Sequence, residues 1–505
     1  MLKLLTKCLL FIFFCKTSFA YAEESKAKIY VLLWFDTEDY LLPESDDAAL
    51  KLAKYLTEQN VPATFKVVGE KIRTLEMRQR KDVITALAKH DIGYHSNFHS
   101  IHPTPAAYCS NLNWDEGINE FLRREQQGAL DLKRVFGKTP SCYGQPGSSW
   151  APQSYPALKE MGIPVYLDAG HHVNLNESPC YYAGILNLYK LKHTFRPNLD
   201  NLDNLEPAKQ RFIEARSDAL KNGHSIVSTY YHPCELVHKE FWDGVNFRGG
   251  ANPPRQLWKL PSQKSPEEKE LAFRIFHEWI QFLKRFPETT FISASQAHKL
   301  FTDTAQKKMF PPMEASKVRQ TALKALKHQH HDNYSLSCAE VFSIMNQELL
   351  RMLGETKALP TLPSQTILGP TSLVKPVNSS IETDISQIRR TCMDVQNYLS
   401  KHSKIPSAIW LGSQSIDPAS YLAGIIKLLD QGESALASDK FQFQPAFMED
   451  ESCIEKDETK LWKWVIFPPG FKATEMMQLA KQQAWTLKPA IAKKAFLSEG
   501  KPDKP

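Results

Sequence analysis

Cysteine is sparse in this 505-residue chain, nine in all, and no two stand in a CxxC pair. That argues against a cysteine zinc site. Past the first 22 residues seven remain, Cys109, Cys142, Cys180, Cys234, Cys338, Cys392 and Cys453. An odd, scattered set does not describe a disulfide framework, although one or two bridges are compatible with it. Long apolar runs are missing as well. No segment after the N-terminus reaches the roughly 20 apolar residues of a membrane helix. Charge of one sign is also lacking. The formal net charge is +6, and Lys3, Lys7 and Lys16 of the N-terminal segment account for three of it. A nearly neutral remainder gives no case for nucleic-acid or anionic-membrane binding.

The N-terminal 22 residues have the pattern of a cleaved export signal. Lys3 and Lys7 precede an apolar stretch over 8–15, and Ala20-Tyr21-Ala22 offers a small-x-small cleavage site. A secreted or periplasmic location is expected.

Strand and helix patterns alternate over residues 26–305. Ile29 to Phe35 is apolar throughout, the mark of a strand buried on both faces. Further strands are predicted at 63–68, 92–94, 141–143, 165–167, 225–231 and 290–293, and helices at 46–59, 77–89, 114–136, 153–161, 204–222 and 266–285. Such alternation implies parallel strands with outer helices, open or closed into a barrel. Segments 170–207 and 233–263 read as long surface loops of the kind that shape access to a site. Residues 306–332 read as a basic, His-containing linker, 333–490 as an α-rich C-terminal domain and 491–505 as a tail. Two stretches of that domain, 334–362 and 385–411, share a helix–turn–proline pattern. The aromatic run Trp462-Lys463-Trp464-Val465-Ile466-Phe467 reads first as a buried strand and second as a sugar-stacking surface.

Four predicted strand ends carry metal-ligand and acid–base residue types, namely Asp36-Thr37-Glu38-Asp39, His95 to His99, Asp168 and His232. Loops that follow parallel strands converge on one mouth. Asp36 and Glu38 are two apart and face the same side of a strand, whereas Asp39 points away unless the chain has turned. One carboxylate can ligate a metal while the other takes a proton from water. His95 and His99 share a face if their segment is helical or tightly turned. Two imidazoles and a carboxylate leave a divalent metal an open position. That set suits hydrolysis of an amide or ester, with Asp36 as base and His232 as acid.

These segments, in this order, resemble the polysaccharide deacetylases with NodB homology, carbohydrate esterase family 4. Trp34-Phe35-Asp36-Thr37-Glu38-Asp39 stands in place of that family's Thr-Phe-Asp-Asp-Gly. His95-Ser96-Asn97-Phe98-His99 matches its His-Ser/Thr-x-x-His, and Ser228-Thr229-Tyr230-Tyr231-His232 resembles its final Leu-x-His strand. The resemblance covers about residues 28–301. It implies an α/β fold, a distorted (β/α) barrel of about seven parallel strands. It also implies a divalent metal, zinc above all, and removal of N- or O-acetyl groups from a cell-wall or extracellular polysaccharide. Carried over by motif, Asp36 is the base, His95 and His99 are metal ligands and His232 is the acid. Asp168 stands where the family has an aspartate that orients the last histidine. Thr37 replaces the family's second aspartate, so the carboxylate ligand becomes Glu38, with Asp39 as the alternative. Gln145 replaces an arginine that tunes the base, which leaves the Asp36 pKa less depressed. The loop of Gln145, Gly147 and Ser148 can still offer backbone N–H groups as an oxyanion hole. Trp150 and Trp242 are the expected sugar-stacking residues. The two C-terminal stretches weakly resemble pseudomurein-binding repeats, which would hold cell-wall polymers. Two other readings compete. One is a catalytically impaired carbohydrate-binding protein on the same fold, and the other a small-molecule amidohydrolase.

Overall fold

The computed structural model describes residues 27–437 and 440–493, so the leader 1–22 and the tail beyond 493 fall outside the described residues. The strands that carry the site are β1 (Lys28–Thr37), β2 (Thr64–Val67), β3 (Asp91–Tyr94), β4 (Val165–Leu167), β5 (Cys180–Tyr182), β6 (Ile185–Leu188), β7 (His193–Thr194), β8 (His224–Tyr231) and β9 (Thr289–Ile292). β1 is central and buried along nearly all its length, as its unbroken apolar run requires. It pairs in parallel with β8 on one side. On the other side β9 lies against Ile29–Leu32 and β2 against Trp34–Thr37. β3 follows β2. Single bridges through Tyr143 then lead to β4, and β6 and β5 follow. The order is thus β7-β8-β1-β2-β3, then β4-β6-β5, parallel except at β5. No ladder joins β6 to β7 among the described residues, so the ladders define a parallel sheet with two ends.

Helices Pro43–Glu58, Trp114–Phe136, Leu205–Asn222 and Pro266–Lys284 pack on the sheet through their apolar faces. The 23-residue helix Trp114–Phe136 is fixed at both ends. Asn113 and Glu116 form a capping box, and Gly137 closes it at φ 70°. The first helix starts earlier than its apolar spacing suggests because Pro43 occupies its first turn.

Three expectations change. The predicted loop 170–207 contains β5, β6 and β7. The β5–β6 hairpin turns at Ala183 and Gly184, with φ of 45° and 80°, the geometry of a tight primed turn. Its strands are too short for a periodic signal. The linker segment 306–332 is a packed piece of structure, with helix Pro312–Ala322 burying Ala315, Val318 and Ala322. The run 462–467 is not a strand. It turns back on itself, burying Trp462, Ile466 and Phe467 while Trp464 stays partly exposed.

After residue 332 come helices Cys338–Met352, Ile385–His402, Pro418–Gln431 and Thr474–Gln482, with short two-stranded pairs among them. The second of the similar stretches continues as a hairpin, Ile409–Leu411 with Gln414–Ile416. One apolar cluster runs from Ile29 to Leu487. Lys488–Pro489 extends the main sheet beside β5. Tyr182 Oη donates to the Ala480 carbonyl at 2.9 Å, and the Ala183 N–H donates to Thr486 Oγ1 at 2.7 Å. The seven cysteines named above are all free thiols. Among the described residues no helix is long and apolar enough to cross a membrane.

Candidate active site

The C-terminal ends of β1, β3, β4 and β8 open onto one cavity of about 530 Å³. Asp36, Glu38, His95, His99, Gln145, Gly147, Ser148, Asp168 and His232 all line it. Register explains the convergence. Phe35 lies beside Tyr231, and Thr37 beside Val67, which lies beside Tyr94. The residues that follow each strand therefore meet at one level.

The His95–His99 segment is a tight turn rather than a helix. Ser96 and His99 both adopt left-handed φ, 64° and 57°. Non-glycine residues in that region are held by their surroundings. Here the buried Glu125 of helix Trp114–Phe136 accepts from the Asn97 N–H at 2.7 Å and from Tyr94 Oη at 2.7 Å. The turn aims both rings at one carboxylate. His99 Nε2 lies 2.9 Å and His95 Nε2 3.5 Å from the same Glu38 oxygen. The far nitrogens are engaged elsewhere. His95 Nδ1–H donates to the Gly144 carbonyl at 2.9 Å, and His99 Nδ1 meets Ser100 Oγ at 2.6 Å. The Gly144 bond leaves the His95 Nε2 lone pair free, the arrangement of a metal-ligating histidine with a backbone partner. His99 Nε2 is buried, and its 2.9 Å approach to Glu38 lacks the geometry of a hydrogen bond. Glu38, His95 and His99 thus form a buried donor set able to hold a divalent ion. Burial disfavours charge on Glu38, but His99 and His232 outweigh it and hold its pKa well below the ordinary carboxylate value.

Asp39 does not join them. Its carboxylate accepts from the Leu41 N–H at 2.8 Å and lies 3.3 Å from His238, as alternation along the strand requires. Thr37 is buried, with no partner for its hydroxyl.

Asp36 sits between two cations. Its Oδ1 is 2.8 Å from Lys66 Nζ, and its Oδ2 is 3.6 Å from His232 Nε2. Burial raises its pKa, yet His95, Lys66 and His232 together bring it below the usual value. Lys66 was not anticipated from the sequence. It lies directly beside Asp36 in the β1–β2 register, and its Nζ also reaches Asp168 at 3.0 Å, the Leu167 carbonyl at 2.9 Å and the face of Trp34 at 4.0 Å. The signal was available: a lysine inside the otherwise apolar run Ala63 to Val68 must find a buried partner. Lys66, not Gln145, supplies the cation beside Asp36. Gln145 is instead locked among tyrosines, accepting from Tyr166 Oη at 2.7 Å and donating to Tyr189 Oη at 3.0 Å.

The role expected of Asp168 needs correction. No contact joins it to His232 among the described residues, and its carboxylate is spent on Lys66. His232 Nδ1–H donates to Glu235 at 2.7 Å, and Glu235 is in turn clamped by both guanidinium nitrogens of Arg196. Glu235 follows His232 by three residues on a short 3₁₀ turn, which sequence spacing alone did not single out. Burial opposes charge on the imidazole, but Glu235, Glu38 and Asp36 prevail and push its pKa up to about 9. Burial likewise opposes charge on Glu235, but Arg196 and His232 lower it to about 2.

Trp150 and Trp242 do not face the cavity. Both are fully buried. Trp150 stacks on His172 at 4.9 Å, and Trp242 packs among Tyr40, Phe247 and Trp258. The aromatic lining comes from Tyr230, Phe241 and Trp464.

Residues 23–166 match the family model described as polysaccharide deacetylase. The resemblance drawn from the first motifs is thus matched by a family model over this part of the chain. The match ends before Asp168, His232 and the C-terminal part of the chain. No curated protein matches the chain. Among solved structures, it is similar to a family 4 acetyl xylan esterase from Clostridium thermocellum in complex with a cobalt ion, at 18% identity and TM-score 0.28, covering 54% of this chain and 91% of that one. It is similar to PuuE allantoinase at 11% identity and TM-score 0.35, covering 54% and 91%. It is also similar to a CE4 family pseudoenzyme from Bacillus anthracis at 12% identity and TM-score 0.28, covering 52% and 64%.

Proposed function

We propose that this chain is an exported, metal-dependent hydrolase that removes acetyl groups from a polysaccharide, such as a cell-wall glycan. The observation that carries the reading is the convergence of two imidazole Nε2 atoms on one Glu38 oxygen, with Asp36 and His232 beside them. The family match over residues 23–166 supports the substrate class.

Glu38, His95 and His99 would hold the ion, and their imidazole–carboxylate chemistry suits zinc. A divalent ion there supplies Lewis acidity toward the scissile carbonyl. The other steps belong to the protein. Lys66 pins Asp36 Oδ1, which leaves Oδ2 on the His232 side to accept a proton from water. His232, kept protonated by Glu235, donates from Nε2 to the leaving nitrogen or oxygen. Gln145, Gly147 and Ser148 line the cavity, and their backbone N–H groups would serve as an oxyanion site.

Purified protein should contain about one divalent ion and release acetate from acetylated glycans. His95→Ala should abolish both. Metal and glycan binding without acetate release would favour the carbohydrate-binding reading, and turnover of a small cyclic amide alone would favour the amidohydrolase.

A further inference from the structure

We infer that Trp464, supplied by the C-terminal part of the chain, is a specificity-determining residue of this site and stacks on the sugar face of the substrate. The inference rests on the proposed action on a glycan.

Four contacts fix the indole at the mouth. Its Nε1–H donates to Asp243 at 2.5 Å, and its backbone N–H donates to Ser148 Oγ at 3.1 Å. The next residue, Val465, accepts from the Gly249 N–H at 2.8 Å. The ring meets His99 edge-on, with centroids 5.3 Å apart. Residues 464–465 are thereby wedged between two mouth loops, the one at 144–150 and the one at 241–250. Gly147 is shaped for this neighbour. It has φ 52°, and a Cβ there would fall 2.1 Å from the indole. A backbone that leaves space for a ring from more than 300 residues away is built around that ring.

The position suits stacking. Trp464 is partly exposed and lines the cavity that holds Asp36, Glu38 and His232. Trp150 and Trp242 are buried and cannot touch a substrate. Of the aromatic residues that line the cavity, Tyr230, Phe241 and Trp464, the last carries the largest ring, and the C–H face of a pyranose is the natural complement of an indole. The indole N–H is already committed to Asp243, so the ring cannot swing without breaking a partly buried hydrogen bond.

The test compares Trp464→Phe, which keeps a flat ring, with Trp464→Met, which fills the space without one. The substrates are an acetylated amino-sugar oligomer and a small aryl acetate. Expected is a KM for the oligomer near wild type in the Phe variant and about tenfold higher in the Met variant. Equal KM values in the two variants, whether raised or not, would overturn the inference. The aryl acetate is the control: a rise in its KM that matches the rise for the oligomer would mark a general disturbance of the mouth and would also overturn the inference. If either variant fails to fold, a crystal of the wild-type protein soaked with the oligomer decides. A sugar ring lying on the indole supports the inference, and a bound sugar elsewhere in the cavity removes it. Failure of the deacetylase reading is separate, since wild-type protein would then release no acetate from the oligomer.

Discussion

Lys66 has no side-chain exposure and holds two carboxylates at once. Removing one member of a buried ionic group leaves uncompensated charge and costs roughly 3–5 kcal/mol. Lys66→Met should lose about that much in urea unfolding. The double variant with Asp168→Asn should recover part of the stability, because one stranded charge goes with it, and should not recover activity, because Asp36 stays untethered. Glu235 acts on the opposite side. The folded pKa of His232 is raised from 6.5 to about 9. The stability contributed by its imidazolium is thus complete below about 6.5 and disappears as pH climbs through about 9. Glu235→Gln removes the nearest raising charge. The alkaline limb of kcat should then move to lower pH, read from a pH–rate profile, and no movement would assign His232's charge to other neighbours. Of the site itself, Asp36, Glu38, His95, His99 and His232 were legible, because each follows a strand end in a recognisable motif. Lys66, Glu235 and Trp464 were not. A lysine in a short strand, a glutamate three residues past a histidine and a tryptophan in an aromatic run each have many ordinary explanations until neighbours are known.

At the scale of elements, most long strands and helices were read nearly to the residue, because apolar period and caps agree there. Trp114–Phe136 is the clearest case. The helix expected at 77–89 is instead two helices, Gly69–Met77 and Lys81–Leu87, parted by a turn with Gln79 at φ 54°. The short strands β5, β6 and β7 gave little or no period, and the 462–467 run misled because hydrophobicity alone does not separate a strand from a packed turn. That turn packs through His172. The imidazole lies between Trp150, at 4.9 Å, and Trp462, at 5.0 Å, and its backbone carbonyl accepts from the Glu455 N–H at 3.0 Å. Burial lowers its pKa from 6.5 to about 3. A neutral ring is therefore required by the fold, and its contribution is complete above about 6.5 and declines as pH falls toward about 3. Over that interval it lowers stability by at most about 1.4 kcal/mol per pH unit. Melting temperature should drop on acidification, and His172→Phe should flatten the slope.

For the molecule as a whole, an ion bound by Glu38, His95 and His99 binds only where two remote segments meet. Chelation should lower the melting temperature, and returning zinc at about a hundredfold over its dissociation constant should restore about 2.7 kcal/mol. An unchanged melting curve would argue that no ion resides there. The division at residue 305 was drawn from a change in composition, which carries no information about cohesion. The physical boundary is weaker than that change suggests, because Ala480, Thr486 and Lys488–Pro489 all bond to the β5–β6 hairpin.

The contact between Gly147 and Trp464 also has a consequence in time. Synthesis delivers the presumed ion ligands, the base and the acid by residue 232, yet the wall that fits against Gly147 emerges from the ribosome only near the end of translation. A nascent or prematurely terminated polypeptide would own the reactive groups without a finished mouth, so substrate selection is acquired last.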